Sequence, residues 1–370
     1  MKVDFITRST RIVPLSNCTA GGIGDQDTSI VTLSPDMLVP DHLQGKEFAF
    51  PFLFELHRIL EEKPEFMEAL KKSKHPSEMA YEELTKKDQL PPGPLYDWEF
   101  VKRVWSLFLN GRHDVCTDYI DREYTKYRFD EKPDALQVIY SFCTRIGHLH
   151  AREVLEIISQ EVEVAREKNQ KQLIALRDYY FPRFAYVLLE GTYDIISEYM
   201  KHYSEYSQML IYLDSGASIG EFSRPSSTAF DDTKMFYGNA FEHLTSHLVL
   251  LACLNNIVQG RNYDTFEMLT LKEYLDLDKA SKARSLQQNK NLNKIVVELN
   301  NKIRNASHHR RMRFDANTGT IVYQPSKSGD YEFITYGEYL ILCNQILQTI
   351  AGFTCFVIAV LRSEELSEQY

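Results

Sequence analysis

The chain is short of turn formers. It has 16 glycines and 13 prolines in 370 residues, too few for a β-sandwich built on many tight turns or for a flexible low-complexity chain. It is also short of paired thiols. Its six cysteines, Cys18, Cys116, Cys143, Cys253, Cys343 and Cys355, include no C-x-x-C pair, and their usage is that of an intracellular protein without a disulfide framework. Cys143, Cys253, Cys343 and Cys355 lie in apolar helical surroundings and read as small core residues. The opening segment MKVDFITRSTRIVPLSN lacks the unbroken apolar stretch of a signal peptide, so a cytoplasmic protein is expected. Without secretion, the glycosylation patterns at Asn17-Cys18-Thr19 and Asn305-Ala306-Ser307 carry no meaning. The run from Ile350 to Leu361, IAGFTCFVIAVL, is 12 residues with Thr354 as its one polar break. A membrane span needs ~20 apolar residues, and extending the run backwards meets Gln348, Gln345 and Asn344. A buried core helix is therefore expected, and no membrane.

Positive charge is scarce as well. Lys and Arg number 42 against 52 Asp and Glu, for a net charge of −10. That balance argues against a surface that binds nucleic acid throughout, because such binding rests on neutralising phosphates. A local basic site is still allowed. Residues 231–370 hold 15 basic and 16 acidic side chains, which leaves 27 of the 42 and 36 of the 52 in the preceding part. The acidity lies toward the N-terminus.

What the chain does have is helical periodicity and aromatic side chains, with 22 tyrosines and 21 phenylalanines. Residues 1 to about 48 read as irregular, with short β-like runs and a turn at Gly21–Gly24. From about Phe50 the pattern turns helical, and a proline-rich loop closes with QLPPGPL at 89–95. Amphipathic segments follow at 98–110, 112–127, 133–145, 151–169, 171–189 and 192–206, apolar at i, i+3, i+4 and i+7. The Ser/Gly/Pro-rich stretch at 214–232 reads as a linker. Beyond it, helices are expected at 234–259, at 270–284, from about Gln287 with Leu292, Ile295, Val296, Leu299 and Ile303 on one face, and at 335–361. The alternation in MRFDANTGTIVYQP, around Asn317-Thr318-Gly319, predicts a β-hairpin before the last helix. The expected architecture is all-α: a helical sensor or partner-binding region over 1–213, a linker over 214–232, and a four-helix bundle with an inserted hairpin over 233–370.

Three local patterns bear on chemistry. Gly216-Ala217-Ser218-Ile219-Gly220 matches G-x-S-x-G, but no βαβ pattern surrounds it to hold Ser218 at a nucleophile elbow, and a linker is the better reading. His243 and His247, at i and i+4, share a helical face as zinc ligands would. No further His/Cys cluster completes a metal set, so packing histidines are favoured, while Glu242 or His243 could line a site supplied by another segment. The richest pattern is Lys302-Ile303-Arg304-Asn305-Ala306-Ser307-His308-His309-Arg310-Arg311-Met312-Arg313. An arginine offers a fixed fork of donors for phosphate and stays charged. A histidine moves protons near neutral pH. The arginines that follow, Arg310, Arg311 and Arg313, suit flanking phosphates of a substrate. These are parts for cutting a phosphodiester by acid–base chemistry, and no carboxylate cluster suggests a two-metal site. The alternative is a basic helix end that satisfies its own last carbonyls.

The segment KIRNASHHRRMRFDANTGTIVY resembles the HEPN superfamily of ribonucleases, whose signature is Arg, four to six residues, then His, often R-N-x-x-x-H. Arg304-Asn305-(Ala306-Ser307-His308)-His309 fits it, and the resemblance spans roughly 231–365. It implies a metal-independent endoribonuclease that needs no cofactor. The RNA's own 2′-OH attacks and leaves a 2′,3′-cyclic phosphate. Arg304 would stabilise the transition-state phosphate and His309 would be the acid–base group, with Asn305 and His308 beside them. It further implies a homodimer in which two such motifs meet and a role in phage defence or as a toxin. Apart from the resemblance, the larger acidic N-terminal region is expected to take an activating ligand or partner protein. Some toxins of the superfamily carry a modifiable Tyr two residues after the His; here that position is Arg311. Geometry and resemblance point to different histidines. On a straight helix His308 lies about 40° from Arg304 and His309 about 140° away, so His309 fits only if the helix ends near Ser307.

Overall fold

A computed structural model of the chain describes residues 94–210 and 230–368, except 128, 130, 298 and 328, together with residues 213 and 225 and two strands near the start. The Gly21–Gly24 turn, the helix expected from Phe50, most of the proline-rich loop and the Gly216–Gly220 motif with Ser218 lie outside the described residues. The chain divides into two compact units, one of Met1–Gly93 with Ser207–Ser226 and one of Pro94–Tyr206 with Ser227–Tyr370. In the first, β1 (Lys2–Asp4) pairs antiparallel with β2 (Ser9–Arg11).

The second unit is mostly helical. It opens with α1 (Pro94–Leu109), α2 (His113–Glu123) and α3 (Ala135–Ile146). Asp134 caps α3 by accepting from the Gln137 N–H at 2.6 Å, which satisfies a backbone donor the helix itself cannot. α4 runs from His148 to Tyr180, with a kink at Asn169 (φ −159°, ψ 81°) at the break expected between 169 and 171. A π-helical turn at Phe181–Ala185 then leads into α5 (Tyr186–Lys201). Pro182, which has no N–H to give the ladder, sits in that turn. The break expected between 189 and 192 is absent: Gly191 lies inside α5.

After the expected linker come α6 (Phe236–His247) and α7 (Val249–Val258), two helices where one was expected over 234–259. α8 (Leu271–Asp276) starts with a capping box of Thr270 and Glu273. The single helix expected from Gln287 is broken. A turn at Asn293–Val296 is followed by α9 (Asn301–His308), because Asn300 is extended (φ −94°, ψ 96°) and its side chain accepts from the N–H groups of Lys302 and Ile303. The expected hairpin is present as β3 (Met312–Asp315) and β4 (Thr320–Tyr323), and a third strand, β5 (Glu332–Thr335), extends it to an antiparallel sheet of order β3-β4-β5. Thr335 and Glu338 form a second capping box at the start of α10 (Tyr336–Glu368).

α10 sets the architecture. Its segment Tyr336–Arg362 is long and apolar enough to cross a membrane, yet Ile350, Ala351, Phe353, Cys355, Phe356, Val357 and Ile358 are buried within the fold. It packs along α4 and α3 as well as α6 and α5. Val154, Ile158 and Tyr180 of α4 share a core with Leu250, Leu251 and Ile257 of α7 and with Phe353 and Val357 of α10. The division expected at 214–232 therefore fails for the described helices. A helix apolar on every side needs partners on every side, and residues 94–206 supply three of these four, α3, α4 and α5. Cys116, Cys143, Cys253, Cys343 and Cys355 are free and buried, the last four as expected.

Candidate functional site at the end of α9

α9 is held against α6 at both ends. The Asn300 N–H donates to the Tyr237 hydroxyl at 2.8 Å, and the Ser307 hydroxyl donates to the Lys234 carbonyl at 2.6 Å. The helices approach at Gly238, where a Cβ would lie 2.9 Å from Ser307 Oγ and 3.1 Å from His308 Cδ2. This contact brings Arg304 to Glu242. Arg304 Nε donates to Glu242 Oε1 at 2.6 Å, its Nη2 donates to the same oxygen, and its Nη1 donates to Asn305 Oδ1 at 2.8 Å. The guanidinium carbon lies 6.0 Å from the centre of the Phe241 ring. Three of the five arginine donors are thus engaged within the protein.

Glu242 is the hub of a cationic cluster. His308 Nε2 lies 3.9 Å from its Oε1 and has no hydrogen-bond partner. Lys279 Nζ lies 3.9 Å from its Oε2 and donates to Ser246 Oγ at 2.5 Å. Arg304 and Glu242 remain about one-quarter exposed, at 25% and 28%. A single carboxylate thus faces an arginine, a lysine and a histidine, which leaves the cluster positive.

α9 ends in a Schellman motif. The Arg311 N–H donates to the Ala306 carbonyl at 2.9 Å and the Arg310 N–H to the Ser307 carbonyl at 3.0 Å, with Arg310 in the left-handed region at φ 53°. His309 is the C-cap. His309, Arg310 and Arg313 are exposed and Arg311 is half-buried. The structure thus groups Arg304, Asn305 and His308, while the His309 side chain makes no hydrogen bond or ion pair with them among the described residues. The helix does end beside Ser307, as His309 required, but it turns that histidine outward.

The other face of α6 is closed. His243 Nε2 lies 3.0 Å from the Thr192 hydroxyl and His247 Nδ1 3.2 Å from the Tyr180 hydroxyl. Burial, helped by Lys279, lowers the His243 pKa to about 4. Burial first, then His243, Lys279 and Lys282, lowers that of His247 to about 3. Both are neutral packing residues, as the sequence favoured. Sequence reasoning identified Glu242 only as a possible lining residue and missed Lys279 and Ser246. Nothing in the spacing of 270–284 marks Lys279; its role comes from chain folding.

No family model, no curated protein and no solved structure matches the chain.

Proposed function

We propose that the protein is a metal-independent endoribonuclease acting at the C-terminal end of α9. The observation that carries this reading is the juxtaposition there of a held Arg304 with an exposed histidine and exposed arginines. The 2′-OH of the RNA attacks the adjacent phosphorus as its proton passes to a base. The P–O5′ bond breaks, the leaving oxygen takes a proton, and a 2′,3′-cyclic phosphate remains. The free donors of Arg304 offset charge on the phosphorane. His309 transfers the proton, and Arg310, Arg311 and Arg313 hold flanking phosphates. An outward-facing His309 suits a site completed by a second copy, so the acting species is a homodimer. The HEPN resemblance extends the proposal to an effector of phage-defence or toxin type, switched by a ligand or partner protein.

A second reading rests on the Arg304–Glu242 pair. A guanidinium already satisfied by a carboxylate and an asparagine is equally what a structural tie between α6 and α9 requires, in a helical module that dimerises or binds RNA without cutting it. RNA cleavage in EDTA separates the two. Arg304→Ala and His309→Ala should each remove nearly all activity, the double variant little more, and His308→Ala less. Equal cleavage by the wild type and all four variants would sink the enzymatic reading, and no cleavage by the wild type would favour the module.

A further inference from the structure

The sheet that follows α9 has one covered and one open face. Met312, Ile321 and Tyr323 are buried, and Phe314 packs against Phe230 and Tyr336. Residues directly opposite each other in an antiparallel ladder share a face, and residues two apart along a strand do so as well. The register pairs Arg313 with Val322 and Val322 with Phe333, so these three form a row across the opposite face. One step along, the Gln324 N–H donates to the Arg311 carbonyl at 3.1 Å, which extends the β3–β4 ladder and places Arg311 on the Arg313 side. Tyr331 precedes Phe333 by two residues and falls on its side. Phe333 and Tyr331 are each 67% exposed, and Arg313 is exposed. The face thus has two arginines along one edge and two aromatic rings along the other. Asp315 and the Thr320–Thr335 pair occupy its far end, so the basic and aromatic groups gather at the end nearest α9.

We infer that this open face is a platform for single-stranded RNA, with two bases stacking on Tyr331 and Phe333 and the backbone running along Arg311 and Arg313. Every base has a π-face, so such stacking tolerates sequence. Two positions along a strand stand ~6.6 Å apart, which separates the rings enough for each to take its own base. Two strand spacings, about 9.5 Å, lie between the aromatic and arginine edges, within the reach of an arginine side chain toward a phosphate. Charge selects this occupant: on an acidic chain this face sets Arg311 and Arg313 across one strand from the rings, and arginine facing aromatic rings matches a polyanion carrying bases. The platform deepens the ribonuclease reading by giving that site a means of holding substrate, and in its choice of RNA it rests on that reading.

The experiment uses the full-length protein and a fluorescein-labelled 12-nucleotide 2′-O-methyl RNA, which lacks the attacking hydroxyl and so reports binding alone. Anisotropy titrations should give at least fivefold weaker binding for Phe333→Ala and for Tyr331→Ala. Phe333→Tyr should bind as wild type and Phe333→Leu as weakly as Phe333→Ala. Arg313→Ala should reduce the slope of log K against log salt by about 0.7, as for one phosphate contact on a single strand. The three side chains changed are at the surface, so unchanged melting curves check the fold. Unchanged affinity in both aromatic alanine variants overturns the platform, whether or not unmodified RNA is cut. Binding that depends on the rings while the wild type cuts nothing keeps the platform and ends the enzymatic reading. If Phe333→Leu binds RNA normally but Phe333→Arg turns a dimer into a monomer, the face joins two copies of this chain and the platform is wrong.

Discussion

Glu242 and His243 are neighbours on α6 and live in opposite worlds. Glu242 faces α9, stays partly in water and gathers Arg304, Lys279 and His308 around it. His243, with His247 one turn on, faces α5 and α4 and is held neutral against Thr192 and Tyr180. The sequence displays the histidine pair more conspicuously than the glutamate. The difference teaches that a titratable side chain is left in reach of water or held neutral by what covers it. The same helix supplies a charged hub on the side that stays wet and packing groups on the side that does not.

The most drastic way to break this contrast is to remove one side. Residues 231–370 expressed alone lose Thr192, Tyr180 and the α3 and α4 surfaces that cover α10. We expect that fragment to show no cooperative thermal unfolding and to aggregate, because a helix buried on all sides would be left open. A fragment that melts cooperatively would restore the boundary expected at 214–232.

Acid tests the closed side. Folding holds His243 and His247 below the ordinary histidine pKa, so below about 6.5 the unfolded chain binds protons the native protein refuses. The stability these residues contribute is complete above that pH and is lost as pH falls toward the folded values of about 4 and about 3. The melting temperature should therefore drop between pH 6.5 and 4, and the double variant His243→Gln/His247→Gln should flatten that slope. An identical slope in the variant would mean other groups drive it.

Two glycines compare the sides at equal chemistry. A Cβ at Gly191 would lie 2.5 Å from His243 Nδ1, and one at Gly238 would lie 2.9 Å from Ser307 Oγ. Gly191→Ala should destabilise by ~1–3 kcal/mol, as overpacking a closed interior does. Gly238→Ala pushes less hard, on the Ser307 hydroxyl and the edge of the His308 ring, so denaturant unfolding should show a smaller loss there, and any RNA cleavage should fall more than stability does. The smallest effect is expected at the helix end. Arg310→Gly relieves a left-handed residue and should stabilise by roughly 1 kcal/mol. The same measurement would show no gain if the Schellman turn relaxes without strain.

Much of the fold was legible because it depends on short-range rules. The break near residue 170 appeared as the kink at Asn169, and the alternation around Asn317-Thr318-Gly319 appeared as the β3–β4 pair. The break expected near 190 failed because Gly191 in α5 marks a close approach to His243 and not a helix end, and no local pattern distinguishes the two. The helix expected from Gln287 failed because Asn300, with its side chain free to bond its own backbone, began a new helix. β5 escaped notice because EFIT is too short to establish alternation.

By itself the sequence determined the helical character, the buried nature of the 350–361 run, and the set Arg304, Asn305, His308 and His309, since periodicity, composition and spacing are properties of neighbouring residues. Only the tertiary structure decided which of them meet. It joined Arg304 and Lys279 to Glu242 across 62 and 37 positions of chain, turned His309 outward, and folded 94–206 together with 227–370. The physical reason is common to all three: burial of apolar surface from distant segments sets which helices cross, and each crossing then fixes which polar groups face each other and which face water.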